Sequence, residues 1–132
     1  MCGGVRWELT EPPGEAGYCH CTRCQRRTGT AASVSAQVAP GSLRVVQGTE
    51  LVRDWCPPQG NRKVFCAACG SHLWSQHPED EELRWIRLGG FDDDPGVTLE
   101  YHQFVAYAAA WEPIADDGLP RYPERRPSSP PA

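Results

Sequence analysis

The sequence predicts a mostly β fold with little helix, and three observations lead to this prediction. The chain of 132 residues is 39% hydrophobic, which fits one domain with one core. It contains 13 glycines and 13 prolines, so turns must be frequent and long helices are disfavoured. Its apolar residues fall in short runs bounded by turn residues, which is typical of strands. We therefore expect about seven short strands.

The strands are predicted from alternating or continuous apolar segments. The N-terminal strand covers residues 5–9 and ends at the turn 11–14. One or two helical turns are expected over residues 22–28, with Gly29 as the terminating residue. A strand at 43–46 is expected to pair with one at 51–55. The remaining strands are predicted at residues 31–38, 62–65, 83–88 and 103–107.

The C-terminal stretch differs in composition from the rest of the chain. From Glu124 onward it consists of Glu, Arg, Pro, Ser and Ala, which cannot bury enough apolar surface to form a core. We therefore expect a single β domain over residues 1–123 and a disordered tail over residues 124–132.

Charge and hydropathy exclude several classes of protein. The chain has no run of about 18 apolar residues and no apolar signal segment, so we expect neither a membrane span nor secretion. Its 13 basic and 17 acidic residues give a formal charge of −4, which repels phosphate backbones. We therefore expect a cytoplasmic protein with no nucleic-acid or membrane partner.

Seven cysteines are the feature of the composition that points to function. An odd number cannot all pair within one monomer, and a chain without an export signal is expected to keep its thiols reduced. Cys66 and Cys69 form a CxxC pair followed by Gly70, which can adopt the left-handed conformation of a metal knuckle. Metal binding is the favoured interpretation, and a redox dithiol or inert buried thiols are the alternatives.

Cys19, Cys21 and Cys24 place three thiols within six residues. Three thiolates on one short loop crowd negative charge that a bound cation relieves. They leave a fourth tetrahedral position open, as in catalytic zinc sites, whereas an iron–sulfur cluster usually takes four cysteines at other spacings. We therefore predict one or two Zn²⁺ ions, with this loop as the reactive site. His20, between two ligands, is expected to point away from the metal, either to solvent or to a partner behind the site.

The motifs occur in an ordered series along the chain. They are Cys-Gly-Gly-Val-Arg at 2–6, Cys-His-Cys-x-x-Cys-x-Arg-x-x-Gly at 19–29, Phe-Cys-x-x-Cys-Gly-Ser-x-Leu at 65–73, Leu-Gly-Gly-Phe-Asp at 88–92, His-Gln-Phe at 102–104, Trp111 and Leu-Pro-x-Tyr-Pro at 119–123. This series closely resembles the glutathione-dependent formaldehyde-activating enzyme family, which includes the centromere protein V group. The resemblance runs from Cys2 to about Tyr122 and implies an Mss4-like β fold with two zinc sites.

Carried over to this sequence, the resemblance implies a catalytic site and a structural site. The catalytic site corresponds to Cys19, Cys21 and Cys24. The structural site corresponds to Cys2, Cys66 and Cys69, plus one more cysteine. The family opens with Cys-x-Cys-Gly, and Cys2 matches the second of these cysteines, so the first would precede Met1. Alternative fourth ligands are water, the Met1 amine, His72 and Cys56.

The resemblance also implies an activity, a zinc-dependent carbon–sulfur lyase acting on a small thiol–aldehyde adduct. An example is glutathione plus formaldehyde giving S-hydroxymethylglutathione. Arg26 and Arg27 are candidates for holding the carboxylates of such a thiol, with ordinary surface arginines as the alternative. His102 is a candidate substrate-binding acid or base, with a structural histidine as the alternative.

A second interpretation of the whole chain is a non-catalytic, zinc-stabilised binding module for a macromolecular partner. Such a module is expected to close both metal sites with four protein ligands, whereas the loop of Cys19, Cys21 and Cys24 supplies three. A chromatin-binding module should also be basic, and this chain is acidic. The sequence therefore favours the enzyme.

Overall fold

The computed structural model describes residues 1–127, so the part of the predicted tail at 128–132 lies outside the described residues. The chain forms two compact units. The first unit combines Met1–Glu15 with Ser35–Val97, and the second combines Ala16–Val34 with the chain from Thr98 onward. The prediction of one domain over residues 1–123 stays a prediction.

The predicted mostly β class is confirmed, since the described residues form ten strands and one short α-helix. The strands are β1 Arg6–Leu9, β2 Ala16–Cys19, β3 Ser33–Val38, β4 Leu43–Gln47, β5 Val52–Trp55, β6 Arg62–Cys66, β7 His72–Gln76, β8 Arg84–Arg87, β9 Leu99–Gln103 and β10 Arg121–Tyr122. Helix α1 covers Thr22–Thr28, and 3-10 turns lie at Thr49–Leu51, Leu88–Gly90 and Val105–Tyr107. Within residues 1–127, no helix has the length and apolar character that crossing a bilayer requires.

The core of the first unit lies on one face of an antiparallel array in the order β3-β8-β7-β6-β5. Ala36, Ile86, Trp74 and Val64 stand opposite one another across four of these strands. Their exposures are 0%, 0%, 6% and 4%, so this row is the centre of the core. Direct cross-strand neighbours of this kind are the units that stabilise a sheet.

The predicted pairing of 43–46 with 51–55 is wrong. β4 pairs with β1, and β5 pairs with β6. Between β4 and β5 the chain passes through Gly48, which has φ +74°, and then through a 3-10 turn. This connection differs from the tight two-residue turn that would return β5 along β4.

The second unit contains a parallel arrangement in which β9 pairs with both β2 and β10. The strand predicted at 103–107 is wrong in position, because β9 ends at Gln103 and a 3-10 turn follows. Phe104 causes the break, since its φ of +58° lies in the left-handed region that a strand does not use. β2 was not predicted, because its sequence Ala-Gly-Tyr-Cys has no clear alternation.

Helix α1 agrees with the sequence prediction in both its bounds and its termination. Gly29 adopts the left-handed conformation, with φ +68°, and its N–H donates to the Gln25 carbonyl at 2.8 Å. Arg26 and Arg27 lie in the last turn, where positive charge interacts favourably with the helix dipole. The helix is short, and its placement depends on contacts outside it.

The beginning of the predicted tail contacts the end of β9. The Phe104 N–H donates to the Glu124 carbonyl at 3.0 Å, and the Arg126 N–H donates to the Gln103 side-chain oxygen at 3.1 Å. The Arg126 guanidinium also lies 4.7 Å above the centre of the Tyr101 ring. The chain over 124–126 is therefore hydrogen-bonded to the end of β9 within the second unit.

Replacing Gly48 by alanine tests the close approach between the N-terminal segment and the end of β4. A Cβ at Gly48 would lie 2.0 Å from the Gly4 carbonyl oxygen, whereas a Cβ at Gly41 has no neighbour within 4 Å. Both glycines have similar positive φ values, +74° and +75°, so Gly41→Ala is the matched control. We expect Gly41→Ala to lower the free energy of unfolding by about 1–2 kcal/mol. Gly48→Ala should lower it by at least about 1 kcal/mol more.

Urea denaturation of the metal-loaded protein, followed by tryptophan fluorescence, measures both losses. Equal losses for the two variants would contradict the predicted contact between Gly48 and Gly4.

Candidate metal centres

The first cysteine cluster, formed by Cys2, Cys66 and Cys69, lies at the end of β6 in the first unit. β6 ends at Cys66, and the turn after it closes where the Gly70 N–H donates to the Cys66 carbonyl at 2.8 Å. Gly70 has φ +73°, the left-handed conformation predicted for a metal knuckle. The sulfur of Cys2 lies 3.9 Å from that of Cys66. All three sulfurs lie within 4.8 Å of one another.

Backbone N–H groups and neighbouring sulfurs shift the pKa values of two thiols in this cluster in opposite directions. The N–H groups of Ser71 and Cys2 lower the pKa of Cys69 to about 7. At Cys2 the Gly4 N–H favours the thiolate, but the sulfurs of Cys69 and Cys66 outweigh it and raise the pKa. One thiolate therefore forms near neutral pH, and a second one is disfavoured unless a cation offsets the charge.

The second cluster, formed by Cys19, Cys21 and Cys24, lies where β2 leads into α1 in the second unit. Cys19 is the last residue of β2, and Cys21 is the N-cap of α1, with φ −64° and ψ 151°. The Cys24 N–H donates to the Cys21 sulfur at 3.4 Å, so the sulfur of Cys21 also caps the helix. The three sulfurs lie within 4.8 Å of one another. The neighbouring Cys21 and Cys24 thiols, together with burial, raise the pKa of Cys19 far above its ordinary value.

Both clusters fit a zinc ion in the chemistry and spacing of their donors. Zinc–sulfur bonds of tetrahedral sites imply sulfur–sulfur distances of about 3.8 Å. The distance between the Cys2 and Cys66 sulfurs is already close to this, at 3.9 Å. Within residues 1–127, no fourth Cys, His, Asp or Glu has its ligand atom within 4.8 Å of all three sulfurs of either cluster. Neither His72 nor Cys56 therefore joins the first cluster, and each cluster offers three ligands from Cys, His, Asp or Glu side chains. Water and the Met1 amine stay predictions for the fourth ligand of the first cluster.

His20 lies between two cysteines of the second cluster but does not join it. Its side chain is 5% exposed, so it does not face solvent. Its Nε2 lies 2.8 Å from Nδ1 of His102, and Nε2 of His102 lies 2.9 Å from a carboxylate oxygen of Asp117. The Tyr18 ring stacks on His102, with centroids 4.5 Å apart and an angle of 6°. Two buried imidazoles and one carboxylate thus form a continuous chain beside the cysteines.

The pKa values of two groups in this chain, His20 and Asp117, are lowered by different causes. Burial is the main cause that lowers the pKa of His20, and the charges of His102 and Arg121 add to it. The hydrogen bond from His102, followed by one from the Leu119 N–H, lowers the pKa of Asp117. Asp117 is therefore a carboxylate at neutral pH and can only accept hydrogen bonds.

The side chain of His102 does not have a nitrogen free for a substrate. It is 3% exposed, and both ring nitrogens are hydrogen-bonded, one to His20 and one to Asp117. This arrangement favours the alternative role, that of a satisfied structural histidine. Asp117 is not predictable as a partner of His102 from the sequence, because it lies in an Asp-Asp-Gly segment that indicates only a turn.

Arg26 and Arg27 lie on the same helix as Cys24, but on different sides of it. Arg27 is three residues after Cys24 and therefore lies on the same side of α1, whereas Arg26, two residues after it, does not. Arg26 is exposed and Arg27 is half-buried. Arg27 is thus the nearer of the two to the second cluster along the helix surface.

A groove of about 520 Å³ in the first unit is lined by residues 5–13 and 90–95. It includes part of the Leu-Gly-Gly-Phe-Asp motif, but none of the cysteines of either cluster. Arg6 forms an ion pair with Asp92 there, and Trp7 packs against the edge of Phe91 with centroids 4.8 Å apart. The motif therefore helps to build this groove and supplies no metal ligand.

Comparisons with known proteins agree with the motifs. A crystal structure of a Rhodobacter sphaeroides protein, a structural-genomics target, is 25% identical to this chain with a TM-score of 0.57. The similarity covers 74% of this chain and 86% of that one. No curated protein matches the chain. The family model of the glutathione-dependent formaldehyde-activating enzyme matches residues 1–107. With most of its length matched, the chain belongs to the glutathione-dependent formaldehyde-activating enzyme family.

Proposed function

We propose that the protein is a zinc-dependent carbon–sulfur lyase whose reactive centre is the cluster of Cys19, Cys21 and Cys24. The observation that carries this proposal is a group of three sulfurs within 4.8 Å, with no fourth side-chain ligand among residues 1–127. Three protein ligands and one open position are the arrangement of catalytic zinc sites. Membership of an enzyme family that acts with glutathione and formaldehyde supports the same conclusion.

The proposed reaction joins a small thiol to an aldehyde, or runs in reverse. With glutathione and formaldehyde, a bond forms between the thiol sulfur and the carbonyl carbon, and the thiol proton ends on the oxygen of S-hydroxymethylglutathione. Zinc at this cluster would supply Lewis acidity, which lowers the pKa of a thiol or polarises an aldehyde oxygen. The cysteines would hold the ion, and the arginines of α1 would orient the thiol.

Arg26 and Arg27 are the proposed carboxylate-binding residues. Glutathione carries two carboxylates, and a guanidinium can hold one through two parallel hydrogen bonds. Both arginines follow Cys24 within the same short helix, and Arg27, on the same side as Cys24, is the better placed of the two to meet a thiol at the cluster. We assign His102 to the support of the cluster instead of to substrate contact, since both its nitrogens already have partners.

The cluster of Cys2, Cys66 and Cys69 is the proposed structural centre. It links the N-terminal segment to the end of β6, with 64 residues between Cys2 and Cys66. A metal ion there would fix two distant segments of the first unit. We propose one Zn²⁺ ion for each cluster, a small thiol as the partner, and the cytoplasm as the location. The seven free cysteines support the proposed location, where thiols stay reduced, and the family supports the thiol partner.

Replacing Cys21 by serine tests the reactive centre. Serine keeps an oxygen at the N-cap, where it can accept the Cys24 N–H, so α1 should remain folded. The variant loses one of three sulfur ligands, and we expect it to lose about one zinc per chain together with the lyase activity. Metal analysis and an assay of S-hydroxymethylglutathione formation measure these effects.

The matched control is Cys56→Ser, which removes an exposed thiol outside both clusters and should leave zinc content and activity unchanged. A Cys21→Ser variant with full zinc content and full activity would contradict the proposed centre. If the unmodified protein binds zinc at both clusters but has no lyase activity, the binding-module alternative is favoured.

Replacing Arg26 and Arg27 together by alanine tests the carboxylate contacts. Hydrogen bonds to charged groups contribute about 1.5–3 kcal/mol, so losing one such contact should raise the Kd for glutathione at least tenfold. Isothermal titration of the zinc-loaded protein measures the change. Arg44→Ala is the control for charge, because Arg44 is exposed and lies in β4 of the first unit. An unchanged Kd in the double variant would show that these arginines do not bind the thiol.

A further inference from the structure

His20 is the point at which the second cluster is attached to its surroundings. It lies between Cys19, the last residue of β2, and Cys21, which has an extended backbone. Neighbouring side chains of an extended segment point to opposite sides. Holding the imidazole of His20 on one side of the chain therefore holds the sulfurs of Cys19 and Cys21 on the other.

All three polar groups of His20 that can anchor the loop are engaged. Its backbone N–H donates to the Gln103 carbonyl at 3.0 Å, and its side chain is bonded to His102 at 2.8 Å. Its backbone carbonyl accepts from the Gln25 side chain at 2.7 Å. The same Gln25 nitrogen donates to the Tyr107 carbonyl at 2.8 Å, which ties α1, and with it Cys24, to this loop.

The bond between His20 and His102 depends on the carboxylate behind it. Asp117 only accepts, so Nε2 of His102 carries a hydrogen and points it at the carboxylate, 2.9 Å away. That bond and the stacked Tyr18 ring fix the orientation of the His102 ring. With the ring fixed, Nδ1 of His102 stays directed at His20.

We propose that Asp117 and His102 are positioning residues which, through His20, hold Cys19, Cys21 and Cys24 in their metal-binding arrangement before the ion arrives. This inference rests on the proposed function, because it takes the second cluster to be a zinc centre. It assigns no substrate contact and no proton transfer to either residue.

The physical reason is the conformational entropy of a short loop that carries crowded thiols. A loop without anchors adopts many conformations, and metal binding must then order it. An anchored loop is ordered by folding, so the ion binds more tightly and leaves more slowly. Loss of the hydrogen-bond partner of a metal ligand typically weakens metal binding about 10–100-fold, and we expect the lower end of this range for partners that act through His20.

The experiment measures zinc release from the full-length, zinc-loaded protein to an excess of a chromogenic chelator. Cys21→Ser identifies which phase of release belongs to the second cluster, since it removes that phase. In Asp117→Ala we expect this phase to become at least about tenfold faster, while the phase of the first cluster stays unchanged. The Asp117 side chain is 30% exposed, so its truncation leaves no buried cavity.

Two further variants separate positioning from general effects. Asp117→Asn keeps a hydrogen-bonding group beside His102, and we expect the release rate to return to within about threefold of the original. Asp116→Ala removes the same charge one residue earlier, at an exposed side chain, and should leave the rate unchanged. A binding-competition measurement of zinc affinity should show the same order among the variants.

The proposal is overturned if Asp117→Ala releases zinc from the second cluster at the original rate. It is also overturned if both phases become faster together, or if Asp117→Asn behaves like Asp117→Ala. These outcomes do not depend on lyase activity. A protein without that activity, but with the expected release rates, would refute the proposed function and leave this inference intact.

Discussion

The crowding of sulfur atoms is the constraint on which both candidate centres depend. Each cluster holds three thiols within 4.8 Å of one another, a distance at which more than one thiolate is strongly disfavoured without a cation. The pKa values of Cys2 and Cys19 are raised for this reason, by neighbouring sulfurs in both cases. A divalent ion removes the penalty, so the same geometry that is costly for the free thiols favours the bound metal.

The two clusters differ in how far apart their cysteines lie along the chain. Cys2 and Cys66 are 64 residues apart, and the chain-entropy relation for a cross-link of that length gives about 4 kcal/mol. Cys19 and Cys24 are only five positions apart in the sequence, and the same relation gives about 2 kcal/mol. By this relation, a metal at the first cluster would contribute more to folding than one at the second. This difference supports a structural role for the first centre and leaves the second centre available for chemistry.

Local chemistry made part of this arrangement predictable from the sequence. Gly70 and Gly29 were identified because single residues in the left-handed conformation end a knuckle and a helix, and both have positive φ values. The pairing of β4 and the end of β9 were not predicted, because both depend on distant parts of the chain. β4 pairs with β1, and the Phe104 N–H, just after β9, donates to the Glu124 carbonyl. Asp117 illustrates the same limit within one side chain. One carboxylate oxygen accepts from the Leu119 N–H, as its turn sequence indicates, and the other accepts from His102, which no local pattern predicts.

The short spacing of the second cluster is also the reason that it needs external support. A metal ion can hold three sulfurs of one loop together, but it cannot fix where that loop lies relative to β9. That placement comes from His20, through its bonds to Gln103, His102 and Gln25. Because these bonds come from residues that are not ligands, a change of small-molecule ligand on a metal held there would leave them in place. This external support is what the proposed reactive centre would need in order to change its fourth ligand while keeping the other three.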